Sequence, residues 1–360
     1  MKNDCCQKDK SRLGRVGGQA VIEGVMMKAG ERTVTTCRKE DGSLVVTDGR
    51  FVSVRKKHKI LNIPILRGVI NFVEMMILSV KTLGISADAL DLDVDKDGKK
   101  KEGSSALITA IMVIATVLGV ALSIGLFMFL PNFLTDLFSR HLFELGAWEA
   151  VVEGLLKIAI FIAYLLLVSL MKDIKRTFMY HGAEHKSIAC FESGEELTPE
   201  NARKHTRFHP RCGTSFMFFM ILIGIVAGLF VKMIFTDLPP LAYTGIRLAI
   251  LPLVVGLGYE FIMLAGKHES VLTRILSAPG LWVQRITTKE PTEDMLEVAI
   301  ISLKCALRDE YPEFMEFYED KEWEPKTEPE EVEKSDTTAE DGSEDVEELP
   351  NDEKNDTGAC

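Results

Sequence analysis

The chain has 360 residues, a formal net charge of −11 and 47% hydrophobic residues. The segment from Glu319 onward holds eighteen acidic residues and four lysines, which leaves 38 basic and 35 acidic residues elsewhere. Seven cysteines without regular spacing exclude a disulfide framework and fit a reducing compartment. We expect no nucleic-acid partner.

Residues 13–57 predict a small, β-rich, cytosolic region at the N-terminus. Two β-prone runs, Thr33–Arg38 and Ser43–Thr47, are joined through an Asp-Gly pair that is typical of a hairpin. Phe51–Arg55 predicts a third strand. The preceding glycines, from Gly17 to Gly24, indicate close backbone approach, either in a binding loop or, as we prefer, in tight turns of the sheet.

Residues 60–90 predict an amphipathic helix. Arg67, Asn71 and Glu74 recur at helical spacing and form a polar stripe on an otherwise apolar surface. Pro64 and the internal charges argue against a simple lipid-exposed span, so we interpret this helix as interfacial or re-entrant.

The long apolar segments that follow predict an α-helical integral membrane protein with about four transmembrane helices. Residues 103–135 and 212–231 contain no charged side chain, and about 20 apolar residues suffice to cross a bilayer. We expect Lys157 to extend its ammonium toward the membrane interface. The predicted spans are 105–130, 152–171, 214–235 and 244–265.

Basic residues predict the orientation of the chain in a cell membrane. The connecting loop 172–213 carries eight of them, loop 131–151 carries only Arg140, and loop 236–243 carries none. Because positively charged loops stay in the cytosol, the N-terminus, the histidine-rich loop 172–213 and the C-terminus are predicted to be cytosolic.

The histidine-rich loop contains the candidate site. His181-Gly-Ala-Glu184-His185 places both histidines one turn apart on a helix, with the glutamate in the same arc. This is the inverted zincin pattern, in which two histidines bind Zn²⁺ and the glutamate transfers protons.

A second pair of histidines follows in the same loop. Thr198-Pro199 predicts the start of a short helix that carries His205 and His209 one turn apart and ends at Pro210. The alternative for this pair is a basic surface helix that lies near anionic lipid headgroups.

Glu260, inside the fourth predicted span, is a candidate third ligand. An ionised group in a membrane helix is costly, so it is usually paired or functional. The alternative is a structural ion pair with Arg67.

After the fourth span, residues 266–318 predict a cytosolic helical region. Residues 276–280 predict a turn, and a further helix is expected to start near Pro291 with Thr292 as its cap. Its apolar face would contain Met295, Leu296, Ala299, Ile300, Leu303 and Leu307. Residues 319–360 predict a disordered acidic tail.

Four long motifs are distinctive: Gly18-Gln-Ala-Val-Ile-Glu-Gly-Val-Met-Met27, His181-Gly-Ala-Glu-His-Lys186, His209-Pro-Arg-Cys-Gly-Thr-Ser215 and Ser277-Ala-Pro-Gly-Leu-Trp282. With them, the chain resembles the YqhQ family of bacterial membrane proteins across roughly residues 13–318. The family is described as a domain of unknown function and as predicted metal-dependent enzymes, so the resemblance implies a metal but no established reaction.

Three functions are compatible with this sequence. The first is a zinc-dependent hydrolase or protease at the cytosolic membrane face, with Glu184 as base and with His181, His185 and one of His205, His209 or Glu260 as ligands. The second is a non-enzymatic scaffold or biogenesis factor that has a structural metal and membrane-protein partners. The third, a transporter, is the least supported and would require an oligomer, because Glu260 is the one clear intramembrane acid.

Overall fold

The structure, a computed structural model, describes residues 11–90, 114, 117–141, 148–235, 239–267 and 271–314. These residues are mostly helical, with a small antiparallel sheet near the N-terminus, as predicted. The predicted acidic tail lies outside them. The strands, paired in chain order, are β1 (Val16–Val21), β2 (Gly24–Ala29), β3 (Arg32–Arg38) and β4 (Leu44–Arg50).

The sheet differs from its prediction at both ends. The hairpin between β3 and β4 is confirmed, and Gly42 takes the left-handed φ of 85° that its turn requires. The strand predicted at Phe51–Arg55 is wrong, because Ser53 accepts a hydrogen bond from the Arg55 amide and caps a short helix. The glycine-rich segment interpreted as tight turns forms β1, β2 and the two-residue turn Ile22-Glu23 that joins them.

Ten helices occur within the described residues. Helix α3 includes a π-helical stretch at Gly125–Phe129, and a 3-10 turn covers Lys59–Asn62. The helices are α1 (Val54–Lys57), α2 (Leu66–Ala89), α3 (Val117–His141), α4 (Glu149–Val168), α5 (Lys172–Ser193), α6 (Pro199–Lys204), α7 (Gly213–Ile234), α8 (Pro240–Lys267), α9 (Val271–Thr287) and α10 (Glu293–Ala306).

Five described helices are long and apolar enough to cross a membrane, against four predicted. They are α2, α3, α4, α7 and the Gly245–Leu264 part of α8. The first predicted span, 105–130, is described only in part, and α3 continues past its predicted end to His141. The predicted loop 172–213 is largely helical, and the turn predicted at 276–280 is wrong because α9 continues through Pro279.

The sheet lies between two sets of helices. Alternate side chains of its strands, including Val25 and Val34, pack in one cluster with α5 and α10. The opposite face, which includes Val21 and Met26, packs on Leu78 of α2. The predicted apolar face of α10 is buried in the first cluster, as expected from its spacing.

Helix α2 joins the sheet to α8. Near its start, a Cβ on Gly68 would lie 3.0 Å from the Cα of Gly256 in α8, so the two backbones pack closely. Farther along, the Ser79 hydroxyl donates to the Gln19 side chain of β1 at 2.6 Å. The polar stripe also contacts protein, since Arg67 pairs with Glu260, and Asn71 and Glu74 accept hydrogen bonds from the chain that precedes the helix.

A buried charge cluster joins α4 to α8. Glu153 is 1% exposed and accepts hydrogen bonds from both terminal nitrogens of Arg247. The Lys157 ammonium lies 2.8 Å from Glu153 Oε1. Lys157 thus extends one turn toward the start of α4, where it pairs with a buried carboxylate, and its extension to the membrane interface stays a prediction.

Replacing Glu153 should destabilise the fold far more than breaking an exposed ion pair. Glu153→Leu leaves two largely buried cations without their buried carboxylate, and we expect a loss of about 3–5 kcal/mol in unfolding free energy. Asp136→Leu, which breaks the exposed pair with Arg140, should cost less than about 1 kcal/mol. Denaturant unfolding in detergent micelles measures both, and equal losses would contradict a structural role for the cluster.

Candidate metal centre

Helix α5 presents the two motif histidines on one face. The helix ends where Gly194 takes a left-handed φ of 78°, which closes its C-terminus. His181 and His185 lie one turn apart, with ring centroids separated by 4.4 Å, as the motif spacing predicts. Two imidazoles are thus adjacent and point into the same space.

Cys212, which caps the start of α7, is the third donor. One nitrogen of each histidine and the cysteine sulfur all lie within 4.8 Å of one another. Cys212 Sγ is 3.3 Å from His181 Nε2. A tetrahedral zinc ion with ordinary Zn–N and Zn–S bonds separates such a pair by about 3.5 Å, so the residues fit the ion. Sequence reasoning did not select this cysteine, although it ends the His-Pro-Arg-Cys motif before an apolar helix.

Main-chain carbonyls set the orientation of both imidazoles. His181 Nδ1 lies 2.9 Å from the Thr287 carbonyl oxygen, and His185 Nδ1 lies 2.6 Å from the Arg207 carbonyl oxygen. A carbonyl can only accept, so each Nδ1 carries a proton, and Nε2 is the nitrogen left to bind a metal ion. Metal-binding histidines are held by outer contacts of this kind.

Gly182 explains how one of these carbonyls reaches its histidine. The chain after α9 crosses α5 at this glycine, where the Lys289 amide donates to the Phe178 carbonyl at 2.8 Å. A Cβ at Gly182 would lie 2.0 Å from the Lys289 carbonyl oxygen. Only glycine therefore permits the crossing that brings Thr287 to His181.

Gln284 holds the segment that carries Cys212. Its side chain is completely buried, accepts from the His209 amide at 2.8 Å and donates to the His209 carbonyl at 2.7 Å. The same side-chain nitrogen also donates to the Ser215 hydroxyl at 2.8 Å. A single amide from α9 thus fixes the chain on both sides of Cys212.

Glu184 lies beside this group with its side chain buried between α5 and β1. Glu184 Oε2 is 3.9 Å from His181 Nε2, and the residue is 5% exposed. A Cβ on Gly18 would lie 3.0 Å from Glu184 Cγ, so β1 packs directly on the Glu184 side chain. Burial raises the pKa of Glu184, which suits a group that must take up a proton.

Electrostatics favour a thiolate at Cys212. Burial alone would raise the pKa of the thiol, but the imidazoles of His181 and His185 outweigh burial and hold it well below its ordinary value. Burial likewise lowers the pKa of His181, whereas the Cys212 sulfur raises it, to about 9 on balance. The two shifts favour a thiolate–imidazolium pair. The thiolate is the metal-binding form of cysteine, and a metal ion would have to displace the Nε2 proton of His181.

The second predicted histidine pair does not share a helix. Thr198 caps α6 as predicted, but the helix ends at Lys204, and His205 has an extended ψ of 161°. The placement of His205 and His209 one turn apart is therefore wrong. His205 instead lies with Cys190 and Glu195 in a separate group of donors.

His209 lies near the centre but not within the three-donor group. Its ring centroid is 5.5 Å from that of His185. Its Nε2 lies 3.7 Å from Glu192 Oε2, and Glu192 also accepts from Arg211 and from the Gly14 amide. Burial raises the pKa of Glu192, but His209, Arg211 and Gly14 together lower it to about 2.

Glu260 lies at the start of α2 rather than with the histidines. It accepts from Arg67 Nε at 2.6 Å and from the Ile65 amide at 3.3 Å. Ile65 has a positive φ of 71°, a strained conformation for a β-branched residue. The ion pair considered as the alternative is thus formed, and it anchors the turn into α2.

Comparison with known proteins identifies the family. The family model described as "Protein of unknown function (DUF1385)" matches residues 63–309. The chain belongs to this family. It is also 36% identical over 305 residues to the "Uncharacterized protein YqhQ" of Bacillus subtilis (strain 168), covering 81% of this chain and 92% of that protein. The expected resemblance is confirmed, and no solved structure matches the chain.

Gly182→Ala should weaken metal binding, because the new methyl group collides with the Lys289 carbonyl and displaces Thr287 from His181. We expect zinc affinity to fall about 10–100-fold, as for loss of other outer contacts to a ligand. Gly224→Ala is the matched control, since a Cβ there meets nothing within 4 Å. Competition with a fluorescent zinc chelator measures both variants, and equal affinities would contradict the role of the crossing.

Proposed function

We propose that this protein is a zinc-dependent hydrolase whose site lies at the cytosolic face of the cell membrane. The supporting observation is the convergence of His181 Nε2, His185 Nε2 and Cys212 Sγ beside the buried Glu184. Three protein donors that leave one coordination position open are the usual set in catalytic zinc sites, whereas structural sites have four.

Each residue has a distinct role in this proposal. His181, His185 and Cys212 would hold the ion, which when bound supplies Lewis-acid activation of water and of a carbonyl group. Glu184 would accept the proton from the attacking water at a carboxylate oxygen and pass it to the leaving group. The carbonyls of Thr287 and Arg207 keep both imidazoles oriented, so little reorganisation is needed.

The packing of the sheet supports four membrane crossings. The sheet packs on α5, so the two lie on one side of a membrane and an even number of crossings must separate them. Of the three apolar helices that the structure describes between them, α2 packs on the sheet through its second half and is the one that does not cross. Helices α3, α4, α7 and α8 then cross, which returns α9 and α10 to the side of α5.

The distribution of basic residues supports a cytosolic location for that side. All eight basic residues of the segment 172–213 belong to the chain between α4 and α7. The orientation agrees with the described cysteines, which are buried and not joined in disulfides, as suits a reducing compartment.

A structural metal site in a membrane scaffold is the second candidate. It is favoured by the position of His209, whose ring lies 5.5 Å from that of His185 and could supply a fourth protein donor. X-ray absorption spectroscopy of the zinc protein distinguishes the two. Two imidazoles, counted from the outer-shell scattering of their rings, and one sulfur favour the enzyme, whereas three imidazoles and one sulfur favour the scaffold.

Glu184→Gln should retain zinc but lose hydrolysis, because the amide cannot accept the proton. We expect about a 10²–10⁴-fold fall in turnover of fluorescein-labelled casein by the full chain in micelles. Glu297→Gln, at an exposed side chain of α10, is the matched control. Cys212→Ala should lose zinc and activity together.

The proposal has two ways to fail in these measurements. Wild-type protein purified without chelators that contains no stoichiometric metal would exclude a metal enzyme. Hydrolysis by Glu184→Gln at the rate of Glu297→Gln would exclude Glu184 as the base.

A further inference from the structure

Strand β1 runs antiparallel to the helix that carries the candidate metal centre. At one end the Gly14 amide donates to Glu192 Oε1 at 3.0 Å, and at the other Glu23 pairs with Arg176. Between these points Gly18 contacts Glu184. The strand therefore follows α5 along most of its length and passes directly over the proposed base.

β1 is also an edge strand of the sheet. The Arg38 amide donates to the Glu23 carbonyl, and this bond shows which residues of β2 form hydrogen bonds to β3. Alternate residues of β2 form main-chain hydrogen bonds to opposite neighbours, so those that do not bond to β3 bond to β1. These residues lie opposite Gly17, Gln19 and Val21 of β1. The main-chain groups of Val16, Gly18 and Ala20 therefore face outward, and none of the described residues forms a hydrogen bond with those of Gly18 or Ala20.

The outer edge of β1 lacks the features that usually protect sheet edges. Edge strands are normally shielded by charged side chains, proline or bulges, and Val16–Val21 contains none of these. The opposite edge strand, β4, carries Asp48 paired with Arg308 and Arg50 paired with Glu31. Gly17 and Gly18 are exposed, and a strand glycine lets another backbone approach closely.

We propose that the outer edge of β1 binds an extended polypeptide through main-chain hydrogen bonds and presents it beside the metal centre. This inference rests on the proposed function and names its substrate class, a polypeptide in extended conformation. The argument for this occupant is chemical: N–H and C=O groups offered at every second residue of a strand are matched by another extended backbone. Gly17 and Gly18 have no side chains that could recognise those of the bound polypeptide, so binding at these positions should tolerate many polypeptide sequences.

The test removes one outward amide from each edge of the sheet. Ala20→Pro deletes an N–H that makes no bond within the β1–β2 ladder, so the sheet is retained. Val46→Pro deletes the equivalent outward N–H of β4 and is the matched control. Both are made in full-length, zinc-loaded Glu184→Gln protein in micelles, so that the probe is bound but not cleaved.

The probe is fluorescein-labelled casein, an unfolded polypeptide, and the readout is its anisotropy. We expect Ala20→Pro to weaken binding roughly fivefold or more, as for the loss of one hydrogen bond, and Val46→Pro to leave it unchanged. Hydrogen exchange provides a second readout that leaves the protein unaltered. Casein should slow exchange in Gly17–Val21 and not in β4.

The outcomes separate the two proposals. Unchanged affinity in Ala20→Pro together with unchanged exchange in β1 would overturn the edge-binding inference, whether or not the wild-type protein cleaves casein. Protection of β1 and weakened binding in Ala20→Pro, with no cleavage by wild-type protein, would support the edge as a binding site and refute the hydrolase.

Discussion

The candidate site depends on two hydrogen bonds from imidazole to main chain. His181 and His185 each donate Nδ1–H to a carbonyl oxygen, from Thr287 and Arg207 respectively, and these contacts direct both Nε2 atoms toward Cys212. Neither carbonyl belongs to α5, so the histidine face of that helix is completed by distant parts of the chain. Gly182 makes one of these contacts possible, because a larger residue would block the crossing chain.

The sheet and the buried amide of Gln284 place the remaining groups. Gln284 holds the chain at His209 through both of its side-chain polar atoms, which limits the positions that the following Cys212 can take. On the other side, Gly18 of β1 packs directly on the Glu184 side chain. The same strand that desolvates the proposed base has the open edge that we assign to a polypeptide substrate.

Two groups of charges connect the long apolar helices. Arg67 and Glu260 connect the start of α2 to α8, and Glu153 joins Arg247 and Lys157 between α4 and α8. A carboxylate surrounded by cations and amides has little affinity left for a metal ion. The acid selected from the sequence as a ligand therefore anchors a helix, and its charge stabilises a strained turn at Ile65.

Local patterns were sufficient to predict the helical class, the apolar helices, the β3–β4 hairpin and the placement of His181, Glu184 and His185 on one helix face, since these depend on residue spacing alone. They did not predict β1 and β2, because glycine-rich strands lack the β-branched signal and owe their structure to pairing within the sheet. They also passed over Cys212 and assigned Glu260 to the metal. Those two assignments depend on which side chains meet across the fold, and only the packing of α5 against α7, α9 and the sheet decides that.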